Sequence, residues 1–309
     1  VLMQVGAFFE IYGLKSIDSS GDIGYSNIVR LSEVCNLNIS EKTTYLDVIE
    51  DGENKRRKLV MAGFRDYTID KYLSKLTDAG YTAAVYIQQD GNDKKGKKIR
   101  VLEQIYSPGT YISYDNDNSM KLSNNIMCIW LERFTSRNKK IKKNILVSGA
   151  CAINIFTGEV YTFQTEIDYC MNISTFDELE KFVSIYNPSE VIIISDFTKE
   201  GLSKVVQYSN INTSNIHFID FDNGKVEKSK SQKYMKEIIS KIYDEQAYEI
   251  CNDFTEYTVA TQSMCYLLDF LQEHNPKLIN KLQLPKFNNV STNVLLANHT
   301  LSQLNIISD

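Results

Sequence analysis

Apolar positions along this chain recur first at a two-residue spacing, then at three to four, and the alternation between these periods divides it into strands and helices. Val1 to Tyr12 reads as a strand. Ser26 stands where it can cap a helix that turns Ile28, Leu31 and Cys35 to one side. Asp66 opens a second helix, in which Ile69, Tyr72, Leu73 and Leu76 fall at i, i+3, i+4 and i+7, and Gly80 stops it. Ala83 to Gln88 and Ile99 to Ile105 return to strand patterning, and Pro108-Gly109 is a turn. The polar stretch Asp115 to Ser119 then breaks the chain.

A second series follows. Ile126 to Leu131, Ile145 to Phe156 and Glu159 to Gln164 read as strands, with a turn at Thr157-Gly158. Thr175-Phe176-Asp177-Glu178 has capping-box spacing ahead of a helix facing Phe176, Leu179, Phe182 and Val183 inward. Asn187-Pro188 ends that helix, and Val191 to Ile194 is a buried strand. The lysine-rich stretch Asp222 to Lys236 is a long loop or the lead-in to a helix. From Asn252 onward Phe254, Tyr257, Thr261, Met264, Leu268 and Leu271 keep helical spacing.

Composition adds bounds. The 309 residues, 43% hydrophobic and 24% charged, suit two or three globular domains. No apolar run is long enough to span a membrane, and no signal peptide is visible. The chain opens at Val1 inside a strand-like run and stops just after the helix-like Thr300 to Leu304, so both ends are expected to be cut short. Six dispersed cysteines without a C-x-x-C point to reduced thiols. His217, His274 and His299 are too scattered to suggest a metal site.

A net charge of −5 argues against a generic nucleic-acid binder, but its distribution is uneven. Residues 1–143 hold 22 Lys and Arg against 18 Asp and Glu, and the remainder hold 12 against 21. Three basic runs, Lys55 to Lys58, Lys94 to Arg100 and Arg137 to Lys143, are either a footprint for phosphate or solvated loops. Gly91 to Lys98 reads G-x-x-x-x-G-K, but Lys98 replaces the magnesium-holding Ser or Thr and the segment lies between strands. The carboxylate pairs Asp51 with Glu53 and Asp18 with Asp22 fall in loop-like surroundings. No catalytic constellation is found.

Gly6-Ala7-Phe8-Phe9-Glu10 stands apart. An aromatic held out of the core can wedge between stacked bases. A carboxylate two residues on shares its strand face and can bond the edge of an unstacked base. The bland alternative is ordinary packing, with Phe8 and Phe9 alternating in and out and Glu10 a solvent-facing strand end.

The opening Gly6 to Tyr12 resembles the G-D-F-Y-E-L-F segment of the MutS family of DNA mismatch-recognition proteins. Further blocks follow in order: Leu37 to Ser40 resembles L-D-I-S, Met61 to Phe64 M-A-G-I, Tyr72 to Leu76 Y-L-A-K-L, and Gln104 to Thr110 R-I-V-T-P-G-T. Asn154 to Gly158 and Asn187 to Glu190 are similar to blocks of the family's connector. The wording also resembles the branch found in large DNA viruses and octocoral mitochondria.

The resemblance implies an α/β chain in three pieces. These are a mixed-sheet mismatch-recognition domain over 1–117, an RNase-H-like connector over 122–248, and the beginning of a helical core or lever domain over 249–309. It gives Phe8 the stacking role and Glu10 the base contact, with a raised Glu10 pKa expected on binding DNA. Arg56, Arg57, Lys58, Met61 and Arg65 form a second rank of DNA-binding candidates. Implied partners are double-stranded DNA with a mismatch or small loop, a second MutS-type subunit and a MutL-like protein. ATP and magnesium are expected of a longer parent, no cofactor of this stretch, and an intracellular location of the whole. A family scaffold that binds DNA structures or partners without reading mismatches is the alternative. Ala7 replaces the family's aspartate, Arg65-Asp66-Tyr67 its P-Y-H, and Asn154 a connector aspartate. Ile126 to Leu131 carries no acid, which speaks against nuclease chemistry.

Overall fold

A computed structural model describes residues 1–17, 22–23, 26–50, 52–92, 98–112, 124–135, 144–244 and 246–287. Asp18 and Asp51, one member of each carboxylate pair, together with Lys94 to Lys97, the run from Arg137 to Lys143 and the terminal Thr300 to Leu304, lie outside these residues. The chain divides into two compact units, Val1–Met120 and Lys121–Asp309.

In the first unit the run from Val1 to Tyr12 is not one strand but a hairpin of β1 (Leu2–Val5) and β2 (Phe8–Ser16). Val5 pairs with Phe8, so the turn is only Gly6 and Ala7. Gly6 lies at φ +60°, and a two-residue turn with positive φ at its first central position calls for glycine. No Asn, Asp or Pro marks this turn, so the apolar run conceals it. After β2 come α1 (Ile28–Cys35), β3 (Ser40–Glu50), β4 (Glu53–Arg65), α2 (Ile69–Asp78), β5 (Ala83–Asn92) and β6 (Lys98–Tyr106). The sheet order is β3-β4-β2-β1-β5-β6, and only β1 and β5 pair in parallel.

Strand alternation decides the faces. Leu2, Phe9, Val60, Ala62, Phe64, Ala83 and Val85 form one core with Ile28, Leu31 and Cys35 of α1 and Leu73 and Leu76 of α2. The N-cap of α1 is Asn27 rather than Ser26; Ser26 stands one residue before it, its hydroxyl accepting from the Ile28 N–H at 3.2 Å and donating to the Tyr12 carbonyl at 3.0 Å. A 3₁₀ turn over Asp66–Thr68 precedes α2, and Gly80 at φ +83° follows it. The β3–β4 ribbon went unmarked in the sequence pattern because little of β3 is buried, so no apolar face alternates.

The second unit begins with the antiparallel meander β7 (Asn125–Thr135), β8 (Asn144–Asn154) and β9 (Val160–Asp168). Then come α3 (Asp177–Tyr186), β10 (Glu190–Ser195), α4 (Lys199–Tyr208) and β11 (Ile216–Ile219). The helices α5 (Gly224–Lys230), α6 (Gln232–Ile242), α7 (Ala247–Ile250), α8 (Asp253–Glu256), α9 (Thr258–His274) and α10 (Pro276–Ile279) lead to the short β12 (Lys286–Phe287). The sheet order is β11-β10-β7-β8-β9-β12, with β10 parallel to both β7 and β11.

The capping box expected at Thr175 does not form. Asn172 caps a 3₁₀ turn there, accepting from the Thr175 N–H at 3.0 Å, and the Thr175 hydroxyl donates to the Cys170 carbonyl. Glu178 instead pairs with Lys181. The stretch from Asp222 to Lys236 is helical, in α5 and the start of α6.

One sheet face packs Met127, Ile129 and Leu131 with Phe182 and Val183 of α3 and Val205 of α4. The other receives α9, the helix expected to open a third piece. Gly149 on β8 makes room for it: a Cβ there would lie 2.5 Å from the Ala260 backbone nitrogen. The Gln164 side-chain oxygen on β9 accepts from the N–H groups of Val259 and Ala260, at 2.9 and 3.1 Å. The first turn of α9 is therefore capped by the sheet beneath it, since Tyr257 before it provides no side-chain cap.

Candidate nucleic-acid interface

The β1–β2 turn is fixed from three directions. The Ala7 carbonyl accepts from the Asp66 N–H at 3.0 Å. The Gly6 N–H donates to Gln88 Oε1 at 3.3 Å, and the Gln88 N–H donates to Gln4 Oε1 at 2.8 Å. Arg100 Nε donates to the Gln4 carbonyl at 2.8 Å. A tip held in this way presents the next side chain in a defined direction.

That side chain is Phe8, 40% exposed beside Phe9 at 4%. Fully burying a phenylalanine stabilises a fold by about 1.5–3 kcal/mol, a gain Phe8 realises only in part. The guanidinium carbon of Arg65, its cross-strand partner, lies 5.5 Å from the Phe8 ring centroid, a cation–π distance.

Glu10 shares the Phe8 face but is only 6% exposed, so it is not the solvent-facing strand end of the bland alternative. Its carboxylate accepts a hydrogen bond from the Tyr12 hydroxyl. Across the sheet Glu10 faces Met3 on β1 and Gly63 on β4. A Cβ at position 63 would stand 2.7 Å from the Phe9 carbonyl oxygen and 3.2 Å from Glu10 Cγ. Burial, followed by the hydrogen bond and charge of Glu10, pushes the Tyr12 phenol up to about 12, while Arg100 pulls it the other way.

The second-rank candidates separate by register. Met61 and Arg65 pair with Tyr12 and Phe8, on the Phe8 face. Arg57 shares that face but lies eight residues from Arg65, about 27 Å along the strand at roughly 3.4 Å per residue. Arg56 and Lys58 point to the opposite face. The run is also largely paired. Arg57 and Lys55 bridge to Glu50, Lys58 and Lys15 to Glu41 at 2.6 and 2.7 Å, and Arg56 stacks 5.1 Å from the Tyr45 centroid. Hydrogen bonds and charge from Lys15 and Lys58 pull the Glu41 carboxyl down to about 2.

Tyr12 and Gly63 escaped the sequence reading as site residues. The signal for Tyr12 was simple alternation, two residues beyond Glu10. Gly63 lies in the Met61 to Phe64 block without an obvious turn to explain a glycine. The phosphate-loop pattern at Gly91 to Lys98 connects β5 to β6, which pair antiparallel, and no helix begins at Lys98.

Residues 32–115 match the family model of MutS domain I. The chain is 24% identical over 329 aligned residues to a mutS homolog of Acanthamoeba polyphaga mimivirus, covering 99% of this chain and 28% of that protein. It is 30% identical over 231 residues to the DNA mismatch repair protein MutS of Caldanaerobacter subterraneus, covering 72% and 23%. To the mitochondrial DNA mismatch repair protein mutS homolog of Sarcophyton glaucum it is 26% identical over 354 residues, covering 99% and 33%. The chain thus spans about a quarter to a third of the length of these relatives.

Proposed function

Because this chain belongs to the MutS family, we propose that it carries the part of a DNA mismatch-repair protein that reads mispaired or looped duplex, with Phe8 as the wedge and Glu10 as the base contact. The observation that carries this is Phe8 itself, an exposed ring on a glycine-dependent turn tied down on both sides. Inserted at a base step from the minor groove, the ring unstacks and kinks the duplex. Unstacking costs a few kcal/mol per step and least where pairing is already broken, so selectivity comes from deformability more than from a base code. Arg65 supplies a cation beside the ring, of the right sign for flanking phosphates.

The second unit supports a connector. Its order β9-β8-β7-β10-β11, with β8 antiparallel to its neighbours, is the arrangement expected of an RNase-H-like sheet. A second family subunit, a MutL-like partner and ATP with magnesium belong to the same proposal at the level of the whole protein.

The test is binding of the full chain and its Phe8→Ala variant to two duplexes differing by one mismatch. Phe8→Ala is expected to lose about tenfold or more on the mismatched duplex and little on the paired one, a base-stacking contact being worth roughly 1–3 kcal/mol. Equal affinity of both proteins for the mismatched duplex would sink the reading. The burial of Glu10 favours a second reading, a structure-binding scaffold that reads no mismatch. A preference for four-way junctions over mismatched duplex, unchanged in Glu10→Gln, would establish it.

A further inference from the structure

One face of β2 carries Phe8, Glu10 and Tyr12 in a row. Tyr12 has no part in the proposal above, yet its hydroxyl donates to Glu10 Oε2. The Glu10 stem is confined as well: Gly63 opposite it leaves a slot that any side chain at that position would close. Tyr12 therefore fills one of the two acceptor positions of Oε2, and a further donor has to share that oxygen with it inside a narrow seat, while Oε1 takes no donor from Tyr12. The charged groups around this seat are Arg65 on β4, at the Phe8 end of the row, and Arg100 on β6, near Tyr12. Met3 and Met61, which face the pair across the sheet, carry no charge.

A carboxylate with both oxygens free takes two parallel N–H donors, as it does from a guanidinium. Guanine offers such a pair, N1–H beside the N2 amino group. Thymine offers one ring N–H, at N3, between two carbonyl oxygens that repel a second carboxylate oxygen. Resting on the reading of Glu10 as the base contact, we propose that Tyr12 makes Glu10 a one-oxygen reader, so that the site takes an unstacked thymine ahead of an unstacked guanine. Tyr12 is in these terms a positioning residue: it touches Glu10 and not the base, and it sets which donor pattern the carboxylate can meet.

The test uses the full chain and two duplexes, identical except that one carries a single extra thymine and the other a single extra guanine. The readout is the ratio of the two affinities. This ratio is insensitive to a partly unfolded sample, which lowers both values alike. The unaltered protein is expected to favour the thymine loop by about tenfold or more, the scale of one charge-assisted hydrogen bond. Tyr12→Phe is expected to bring the ratio to about one or to invert it, through a gain on guanine. In a Glu10→Gln background the same change is expected to move the ratio less than about twofold. If Tyr12→Phe leaves the ratio within about twofold while Glu10→Gln alters it, the one-oxygen reader is overturned and the base contact stands. If Phe8→Ala and Glu10→Gln both leave the preference for looped over paired duplex intact, the base contact is overturned and this inference with it.

Discussion

Gly63 shows how much one missing methyl group can hold in place. Its neighbours on β4, Ala62 and Phe64, are core residues, and a glycine between them loses strand propensity for no local gain. The gain lies across the sheet, where Phe9 and Glu10 occupy the space of a Cβ. Gly63→Ala is expected to lower stability by about 1–3 kcal/mol, since the nearest obstacle is backbone and cannot rotate away. It is also expected to weaken the Glu10-dependent part of mismatch binding. Thermal melting checks the first effect, and a melting temperature equal to that of the unaltered protein would show that β2 yields freely. The neighbours Phe8 and Phe9 make the complementary point. Their alternation and the company of Glu10 were legible in the sequence, because a strand period of two is a local rule. The turn before them was not, because a lone glycine in an apolar run gives no hint of its φ.

At the scale of elements, the β3–β4 ribbon and α9 depend on partners brought from elsewhere. Glu41 on β3 is bridged by Lys15 of β2 and Lys58 of β4. Its carboxyl ordinarily titrates at 4.5 and is held at about 2 here. The sign follows: a depressed carboxyl contributes fully above its ordinary value, and the contribution fades as pH falls towards about 2. The group is exposed, so solvent and salt screen the bridges. In a carbon-13 titration the Glu41 carboxyl is expected to move near pH 2, and near 4.5 once Lys15 and Lys58 are both changed to alanine. A midpoint near 4.5 in the unaltered protein would show the bridges open. Closed, they set the Glu41 carboxylate beside Lys58 at neutral pH, which offsets part of the charge Lys58 offers a phosphate.

Removal of the Gln164 cap is expected to matter more. Gln164→Ala leaves two first-turn N–H groups of α9 without their partner and should cost about 1–2 kcal/mol. Hydrogen exchange at Val259 and Ala260 should rise, and unchanged protection there would mean another group caps the turn. The helical spacing from Phe254 to Leu271 announced α9 in the sequence, but not its seat. The Gln164 contact joins residues 95 apart, beyond the reach of any local pattern.

On the scale of the whole molecule, the α/β class was legible because strands and helices alternate with short breaks, whereas α9, read as the opening of a third piece, packs on the sheet of the second unit. The β3–β4 ribbon was not legible, because β3 buries little and so leaves no apolar stripe to read. Charge needed the structure too. Positive charge gathers toward the N-terminal half of the sequence, yet Lys15, Lys55, Arg57 and Lys58 are bridged to Glu41 and Glu50. The basic run Lys55 to Lys58 therefore presents less free charge to phosphate than its composition suggests.

The central place of β1 bears on the order in which the chain is made. Its parallel neighbour β5 is synthesised some eighty residues later, as the Gln88 to Gln4 bond at a separation of 84 residues records. Parallel pairing across such a loop forms slowly. While the ribosome is still producing β3, β4 and α2, the β1–β2 hairpin has only one neighbouring side to pair with, and its apolar residues stay open to solvent. Until β5, which ends at Asn92, has been made, the β1 edge of the nascent first unit therefore stands unpaired.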